Sequence, residues 1–402
     1  MANHSIAILT DPYGKPSYSP RLRNICDFLV EKGWNIEVYT EQFEPLSFAH
    51  SYPIYTFQLY KNKHVDWAVK SLWSLLTDWK NRRFAKLVTE QCKHKHYDLV
   101  FCTTFSTFPL YAALHLAEQH HIPLHIDLRD IEEQAPNSQL QAHRGWWTFF
   151  FRRAYRNINI RRRNRVILKA DQVTTISPWH AQFLKKLNPN TSLIYNGYDA
   201  RIFYPSEIHS DDFILLYTGR FYESIMRDPT LLFKALQKTK LPHLKVVFYT
   251  DNEGHKKLNM LNKKYDTAQL TEIHDYVASE QIPNLLQKAS IILVFSNQSS
   301  RTHTHGIMTT KFFEALGVEK PVLCVRSDEE CLAQVIRETN AGIAAKTVEE
   351  VEKFIQDKYH EWQQNGFTRQ PVNQTQRQCF TRQRQAQQFE QLFLSAIDSY
   401  KK

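Results

Sequence analysis

The chain has 402 residues, with 51 Lys and Arg against 41 Asp and Glu, a net charge of +10, and 42% apolar residues. That length exceeds one ordinary core and predicts two domains, for which 25 Phe and 19 Tyr supply ample apolar surface. Ten Gly exclude fibrous and low-complexity classes, and six Cys with no Cys-x-x-Cys pair speak against a disulfide scaffold or a cysteine zinc site. Reduced thiols fit a cytoplasmic protein. The N-terminus lacks a basic leader, and no apolar run is long enough to span a bilayer, so neither a signal peptide nor a membrane helix is expected.

In chain order, Ile6 to Thr10 reads as a strand, followed by a turn-rich loop from Asp11 to Pro20 and a helix from Arg21 to Lys32. Strands follow at Ile36–Thr40 and Ile54–Leu59, then a long helical stretch over Val65–His94. Asp98–Cys102, Pro123–Asp127, Val173–Ile176 and Leu193–Tyr195 read as further strands, with a helix at Phe108–Gln119. Such alternation predicts a doubly wound parallel sheet. The first loop holds a lone Gly14 in place of a Gly-x-Gly-x-x-Gly fingerprint, so it gives no case for a dinucleotide cofactor. Its place at a strand's carboxyl end makes Gly14 and Arg21 candidates for lining a crevice; an ordinary βα turn is the alternative.

From Arg152 to Lys169 the chain carries eight basic residues and no acidic one, just after Trp146, Trp147 and Phe149 to Phe151. Basic residues beside aromatics on a helix suit an anionic membrane surface. A solvated helix face is the plainer reading, and no nucleic-acid motif accompanies the run. Asn196 to Asp212 reads as a linker. The pattern then restarts, with strands at Phe213–Thr218, Leu244–Thr250, Thr271–Tyr276, Ile291–Phe295, Val322–Val325 and Gly342–Ala345. Gly219-Arg220 is a tight loop, and Asp228-Pro229 reads as an N-cap with Pro at the first helical position.

Within this half, Ser290 to Val325 reads strand, loop, helix, strand. Thr310 to Leu316 is the helix, with Gly317 at its C-cap. The loop and helix start from Gly306 to Glu314 lie where such sheets bind ligands, and free helix N–H groups there favour phosphate. Lys311 adds a cation and Glu314 a carboxylate. Glu314 stands four residues after Thr310 and five after Thr309, which departs from the capping-box interval of three without excluding a cap. His303 and His305 have no third ligand at metal spacing, so no metal is expected. The tail from Arg382 to Tyr400 places Phe389, Leu392, Phe393 and Ile397 on one helical face.

Phe213-Ile-Leu-Leu-Tyr-Thr-Gly-Arg220, Pro283 to Ser290, Thr310-Lys-Phe-Phe-Glu-Ala-Leu-Gly317 and Lys320-Pro-Val-Leu323 resemble the family 4 retaining glycosyltransferases, as do Val173 to Pro178 and Tyr195 to Asp199. The resemblance implies an α/β fold of two Rossmann-like domains facing across a cleft (GT-B). An acceptor-binding domain would cover 1–198 and a nucleotide-sugar-binding domain 199–380, with a helix at 381–402 crossing back. It implies a hexosyltransferase moving a sugar from a nucleotide-sugar to a glycan or lipid-linked acceptor in surface polysaccharide synthesis. Such an enzyme would be cytoplasmic, either free or peripheral on the inner membrane face, with no cofactor, no metal and no nucleic-acid partner.

By the same resemblance Glu314 matches the Glu that holds the nucleotide ribose. Arg220 matches the cation that meets the diphosphate, beside Gly219. The family's second cation falls on Ile225, leaving Arg227 or Lys311 to replace it; Thr309 and Thr310 belong to the donor loop. Gly306 stands where the family often has a Glu that contacts the donor sugar. On the acceptor side Asp130 either orients or deprotonates a hydroxyl, or binds backbone at the start of its loop. The rivals are a nucleotide-sugar 2-epimerase-like enzyme of the same fold and a basic nucleic-acid-binding protein.

Overall fold

A computed structural model describes residues 4–11, 13, 20–42, 45–46, 48–60, 73–74, 76–134, 146–221 and 227–401, without the side chains of 146–152. The chain divides into two compact units, Met1–Tyr195 with Gln383–Lys402, and Asn196–Arg382.

The first unit holds seven parallel strands: β1 (Ser5–Thr10), β2 (Asn35–Glu41), β3 (Ile54–Phe57), β4 (Leu99–Thr104), β5 (Leu124–Leu128), β6 (Gln172–Thr175) and β7 (Thr191–Leu193). Their order is β3-β2-β1-β4-β5-β6-β7, so the winding reverses between β1 and β4. Both faces are covered. In β1, Ile6 and Ile8 enter one core while Ala7 and Leu9 enter the other, the two-residue period of a strand buried on both sides. The first core takes α1 (Pro20–Glu31) through Leu22, Ile25 and Leu29. The second takes α2 (Trp79–Cys92) and α3 (Leu110–His120) through Phe84, Val88, Leu110 and Leu116. Next in the chain come α4 (Trp146–Ile167) and α5 (Pro178–Lys185).

The C-terminal helix, Arg382–Tyr400, belongs to this unit from Gln383 onward. Phe389, Phe393 and Ile397, spaced four apart, are buried with Ile6, Ile8 and Phe101. Phe389 and Phe393 also close over the His125 ring. Of the expected helix over Val65–His94, residues 65–72 and 75 lie outside the described residues, while Trp73, Ser74, Leu76 and Thr77 are helical. Asp78 adopts φ 57, which interrupts the helical path, and α2 starts only at Trp79.

The second unit holds six parallel strands: β8 (Phe213–Thr218), β9 (Leu244–Tyr249), β10 (Thr271–His274), β11 (Ile291–Phe295), β12 (Val322–Val325) and β13 (Gly342–Ala345). The order β10-β9-β8-β11-β12-β13 reverses between β8 and β11. Phe213, Leu215 and Tyr217 of β8 share a core with Phe248, Leu293, Leu323 and the helix Val348–Asn365.

Two local expectations change. The helix that leads into β12 runs Thr310–Val318 and ends on Glu319 at φ 54, so Gly317 lies inside it and is no cap. A Cβ at Gly317 would stand 2.6 Å from Tyr198 Cδ2 and 2.8 Å from Phe203 Cβ, so glycine is required by packing. Likewise Asp228 and Pro229 both precede their helix, which begins at Thr230; Asp228 accepts from the Thr230 N–H at 3.0 Å.

Candidate active site

The reversal point of the second sheet brings the β8 loop against the helix Thr310–Val318. Gly219 adopts φ +147, open to glycine and rarely to other residues. A Cβ there would fall 2.2 Å from Lys311 Cε and 2.9 Å from its Nζ. The Lys311 ammonium therefore lies directly on the backbone at the end of β8. Arg220, next in sequence, is exposed; its Nε donates to Tyr276 Oη at 3.2 Å and stands 4.0 Å from an Asp251 carboxylate oxygen. Tyr217 donates to the Arg220 carbonyl at 2.9 Å, and Arg227 donates to the same oxygen at 3.0 Å. Lys257 donates to the Arg227 carbonyl at 3.3 Å. Four cations thus gather here, of which Lys257 carries no local sequence signal. Ile225 lies outside the described residues.

Lys311 and Glu314 sit one turn apart. Among the described residues neither makes a hydrogen bond or an ion pair with protein. Burial holds the Lys311 ammonium below the ordinary lysine range, with Glu314 opposing the fall and Arg227 adding to it. Burial likewise raises the Glu314 carboxyl, against the fields of Lys311 and Arg382. Arg382, at the end of the unit, was not anticipated as a neighbour; its Nε donates to the Gly197 carbonyl at 3.2 Å. The capping alternative for Glu314 finds no support, since Thr309 is the N-cap residue and the helix has no side-chain cap bond. Thr309 and Thr310 are half-buried at the helix start.

The loop before this helix is braced by buried Asn297, which donates to Thr302 Oγ1 at 2.7 Å and to the Thr304 carbonyl at 2.8 Å. Gly306 is buried at φ +66, a left-handed geometry that a Glu would adopt only under strain. His305 Nδ1 stands 2.7 Å from Glu330 Oε1, while Ser299 donates to Oε2 at 3.1 Å. His303 is exposed. No group of three or more His, Cys, Asp or Glu side chains among the described residues is placed to hold a metal ion.

In the first unit, Asp11 follows β1 and Arg129 follows β5. Arg129 donates to Asp11 Oδ1 at 2.9 Å, and its guanidinium lies 3.5 Å from the ring centroid of Phe105, which follows β4. Phe105 is 43% exposed, and no sequence pattern singled it out. Asp130 is adjacent and exposed. Desolvation pushes its carboxyl up to about 6, with Arg129 opposing and Asp11 adding to the rise. Solvent screens part of that shift.

Arg21 is not a crevice residue. It is 6% exposed, and its guanidinium donates to both Asp127 oxygens at 3.1 and 3.0 Å and to the Ile194 and Tyr195 carbonyls at 2.9 and 2.6 Å. Four of its five N–H donors are taken by protein. Gly14 lies outside the described residues.

The basic run of α4 is divided. Arg163 is fully buried and makes two 2.6 Å bonds to the Glu133 carboxylate. Arg162 donates to the Ser74 carbonyl at 3.0 Å and pairs with Asp78 at 3.2 Å, and Arg156 donates to the Glu133 carbonyl. Arg153, Arg161 and Arg165 are exposed. No helix among the described residues is long and apolar enough to cross a membrane.

A parallel doubly wound sheet in each unit, with Lys311 and Glu314 at the reversal point of the second, is the frame of a two-domain glycosyltransferase. The profile of Glycosyltransferase Family 4 matches residues 20–201, and that of Glycosyl transferases group 1 matches residues 200–369. The chain belongs to this family and is a glycosyltransferase of the GT-B fold. Among solved structures it is similar to a sucrose-phosphate synthase from Thermosynechococcus elongatus, at 15% identity over 99% of this chain and 100% of the other, TM-score 0.71. It is similar to Anabaena HepE, solved in complex with UDP and glucose, at 15% identity over 98% and 100% of the two chains, TM-score 0.64. The lipopolysaccharide outer core galactosyltransferase WaaB matches at 12% identity over 97% and 99%, TM-score 0.62. No curated protein matches the chain.

Proposed function

We propose that the second unit binds a nucleotide-sugar at the β8–β11 reversal point and that the enzyme transfers the sugar with retention of configuration. The observation that carries this is the Lys311–Glu314 turn, a cation and a carboxylate left without a hydrogen bond or ion pair among the described residues. Both side chains are half-buried, and partly burying charges without partners is costly, so a ligand that supplies both an anion and hydroxyl donors fits there. A nucleoside diphosphate does so, its phosphates meeting Lys311, Arg220, Arg227 and the N–H groups at Thr309 and Thr310, and its ribose meeting Glu314. Anabaena HepE, of the same fold, has been solved with UDP and with UDP-glucose.

In this reading the bond from the sugar's anomeric carbon to the β-phosphate oxygen breaks, and negative charge grows on that phosphate. Lys311, Arg220 and the helix amides are aimed at that charge and stabilise the transition state. The acceptor oxygen attacks from the same face and passes its proton to the departing phosphate, so neither an enzyme nucleophile nor a metal takes part. Asp130 orients the acceptor hydroxyl. The acceptor is a glycan or lipid-linked glycan of surface polysaccharide synthesis, met on the cytoplasmic side of a membrane. Buried thiols at Cys26, Cys92, Cys102 and Cys324 suit that reducing compartment.

Affinity and melting temperature measured on the same variants test this. A hydrogen bond to a charged group contributes about 1.5–3 kcal/mol. Glu314→Ala should then weaken binding of one of UDP, GDP and ADP roughly 10- to 150-fold. Lys311→Ala should weaken the nucleoside diphosphate and spare the bare nucleoside. A purely structural Glu314 would lower melting and leave nucleotide affinity intact. Release of free isomerised sugar without an acceptor would instead identify an epimerase.

A further inference from the structure

The α4 helix has 22 residues, about 33 Å of length, and contains no acidic residue. Its inward arginines are consumed: Arg163 by Glu133, Arg162 by Asp78 and the Ser74 carbonyl, Arg156 by the Glu133 carbonyl. The outward residues Arg153, Arg161 and Arg165 retain their charge in solvent. The segment fastened by Arg162 carries two large apolar side chains into solvent, Trp73 at 56% exposure and Leu76 at 75%. Tyr155, on α4 itself, is 37% exposed. Single exposed apolar residues are ordinary on any protein. Here a Trp and a Leu lie three residues apart, and their segment is tied through Arg162 to a helix whose exposed charged side chains among the described residues are all cationic.

We propose that this side of the first unit docks on an anionic lipid bilayer. Trp73, Leu76 and Tyr155 enter the headgroup boundary while Arg153, Arg161 and Arg165 meet lipid phosphates. Charge complementarity decides the occupant. The acids on the neighbouring helices, Glu90 and Glu118, lie 3.9 Å from Lys86 and 2.8 Å from Lys169 respectively, and among the described residues no ion pair links Arg153, Arg161 or Arg165 to an acid. Amphipathic aromatic residues beside free cations suit the boundary of a negatively charged membrane. The surface also has a connection to the chemistry. Glu133, which anchors α4 through Arg163, lies three residues beyond Asp130, so the helix and the proposed acceptor residue are fixed to one loop. Only that link rests on the proposed function, for it concerns a lipid-linked acceptor; the docking itself stands without it.

Co-sedimentation without donor tests the surface, using vesicles of phosphatidylcholine alone and of phosphatidylcholine with a minor share of phosphatidylglycerol. The parent should bind only the anionic vesicles and lose affinity as sodium chloride rises. Arg153→Gln, Arg161→Gln and Arg165→Gln should each weaken binding roughly fivefold, the equivalent of one cation near an anionic surface. Trp73→Ser with Leu76→Ser should weaken it at every salt concentration and keep the salt dependence. Melting temperature and UDP binding should match the parent in both sets, since these residues are exposed and outside the donor site. Equal binding of the parent to neutral and anionic vesicles, no binding to either, or variants that bind as the parent does would overturn the proposal. Retention of a single-stranded RNA oligomer in preference to anionic vesicles would overturn it in favour of nucleic acid. A parent that binds anionic vesicles but no nucleotide would refute the donor reading and leave this one standing.

Discussion

At the carboxyl edge of the first sheet Arg21 meets Asp127 and Arg129 meets Asp11, each pair within 3.0 Å. At the corresponding edge of the second sheet Lys311 and Glu314 share a helix turn, and among the described residues neither is ion-paired. Both edges lie where parallel sheets present their loops. The difference is in what satisfies the charge. Burial pushes the Asp127 carboxyl up, and Arg21, Arg129 and Thr103 more than reverse this, leaving it below the ordinary carboxylate range. Burial raises Glu314 and lowers Lys311, and the opposing charges of Lys311 and Arg382 on the one and of Glu314 on the other do not reverse either shift. A charge whose cost is met within the protein holds the fold together, whereas one whose cost is unmet is held for a ligand.

The largest expected effect breaks the satisfied side. Arg21→Ala strands a buried carboxylate and should cost about 3–5 kcal/mol of stability, read as a lower urea midpoint. Arg21→Met with Asp127→Leu should recover most of it, because a matched apolar pair leaves no charge behind. The pH dependence follows from the depressed Asp127 carboxyl. Its contribution is present above the unfolded value of about 3.9 and fades as pH falls through the lower folded value. A midpoint for Arg21→Ala equal to that of the parent would remove the structural role.

A smaller effect probes the unsatisfied side. Gly219→Ala drives a Cβ into Lys311 Cε and asks alanine to adopt φ +147. Strain of this kind costs about 1–3 kcal/mol, and the ammonium must move off the backbone. Nucleoside diphosphate affinity should fall along with melting temperature. In Gly317→Ala, whose clash is with Tyr198 and Phe203, only melting should fall. If both variants bind UDP, GDP and ADP alike, Gly219 is a packing glycine like Gly317.

Most of the architecture is legible in sequence because strands covered on both faces leave continuous apolar runs such as Phe213 to Thr218 and Ile291 to Phe295. The tail helix is legible by its four-residue steps. What local pattern conceals is the distant partner. Arg161 and Arg163 are two identical letters in a basic run, and only Glu133, thirty positions earlier, buries one of them. Arg21 sits at a loop end like any binding residue, but Asp127 is 106 positions away. Gly317 resembles a helix cap because the Tyr198 ring that demands a glycine comes from a remote segment. Lys311 and Glu314 were identifiable because their signal is local: a strand, a loop and a helix start. Phe105 and Lys257 had no such context.

The smallest expected effect lies on Asp130, a carboxyl of the first edge that desolvation raises. Desolvation sets its value at about 6 in place of 3.8. A raised carboxyl is protonated below that value and ionised above it, so Asp130 should be an anion at neutral pH and lose that charge as pH falls through about 6. Its side-chain carbon resonance, assigned by its disappearance in Asp130→Asn, should titrate there by NMR. Asp11→Asn should move the midpoint down, because it deletes the carboxylate that adds to the rise and releases the Arg129 guanidinium. A change of one unit corresponds to roughly 1.4 kcal/mol. Arg129→Gln should move it up, since the opposing cation is lost. An Asp130 that titrates near 3.8 and ignores both neighbours would be a solvated loop residue, and the acceptor role assigned to it would fall.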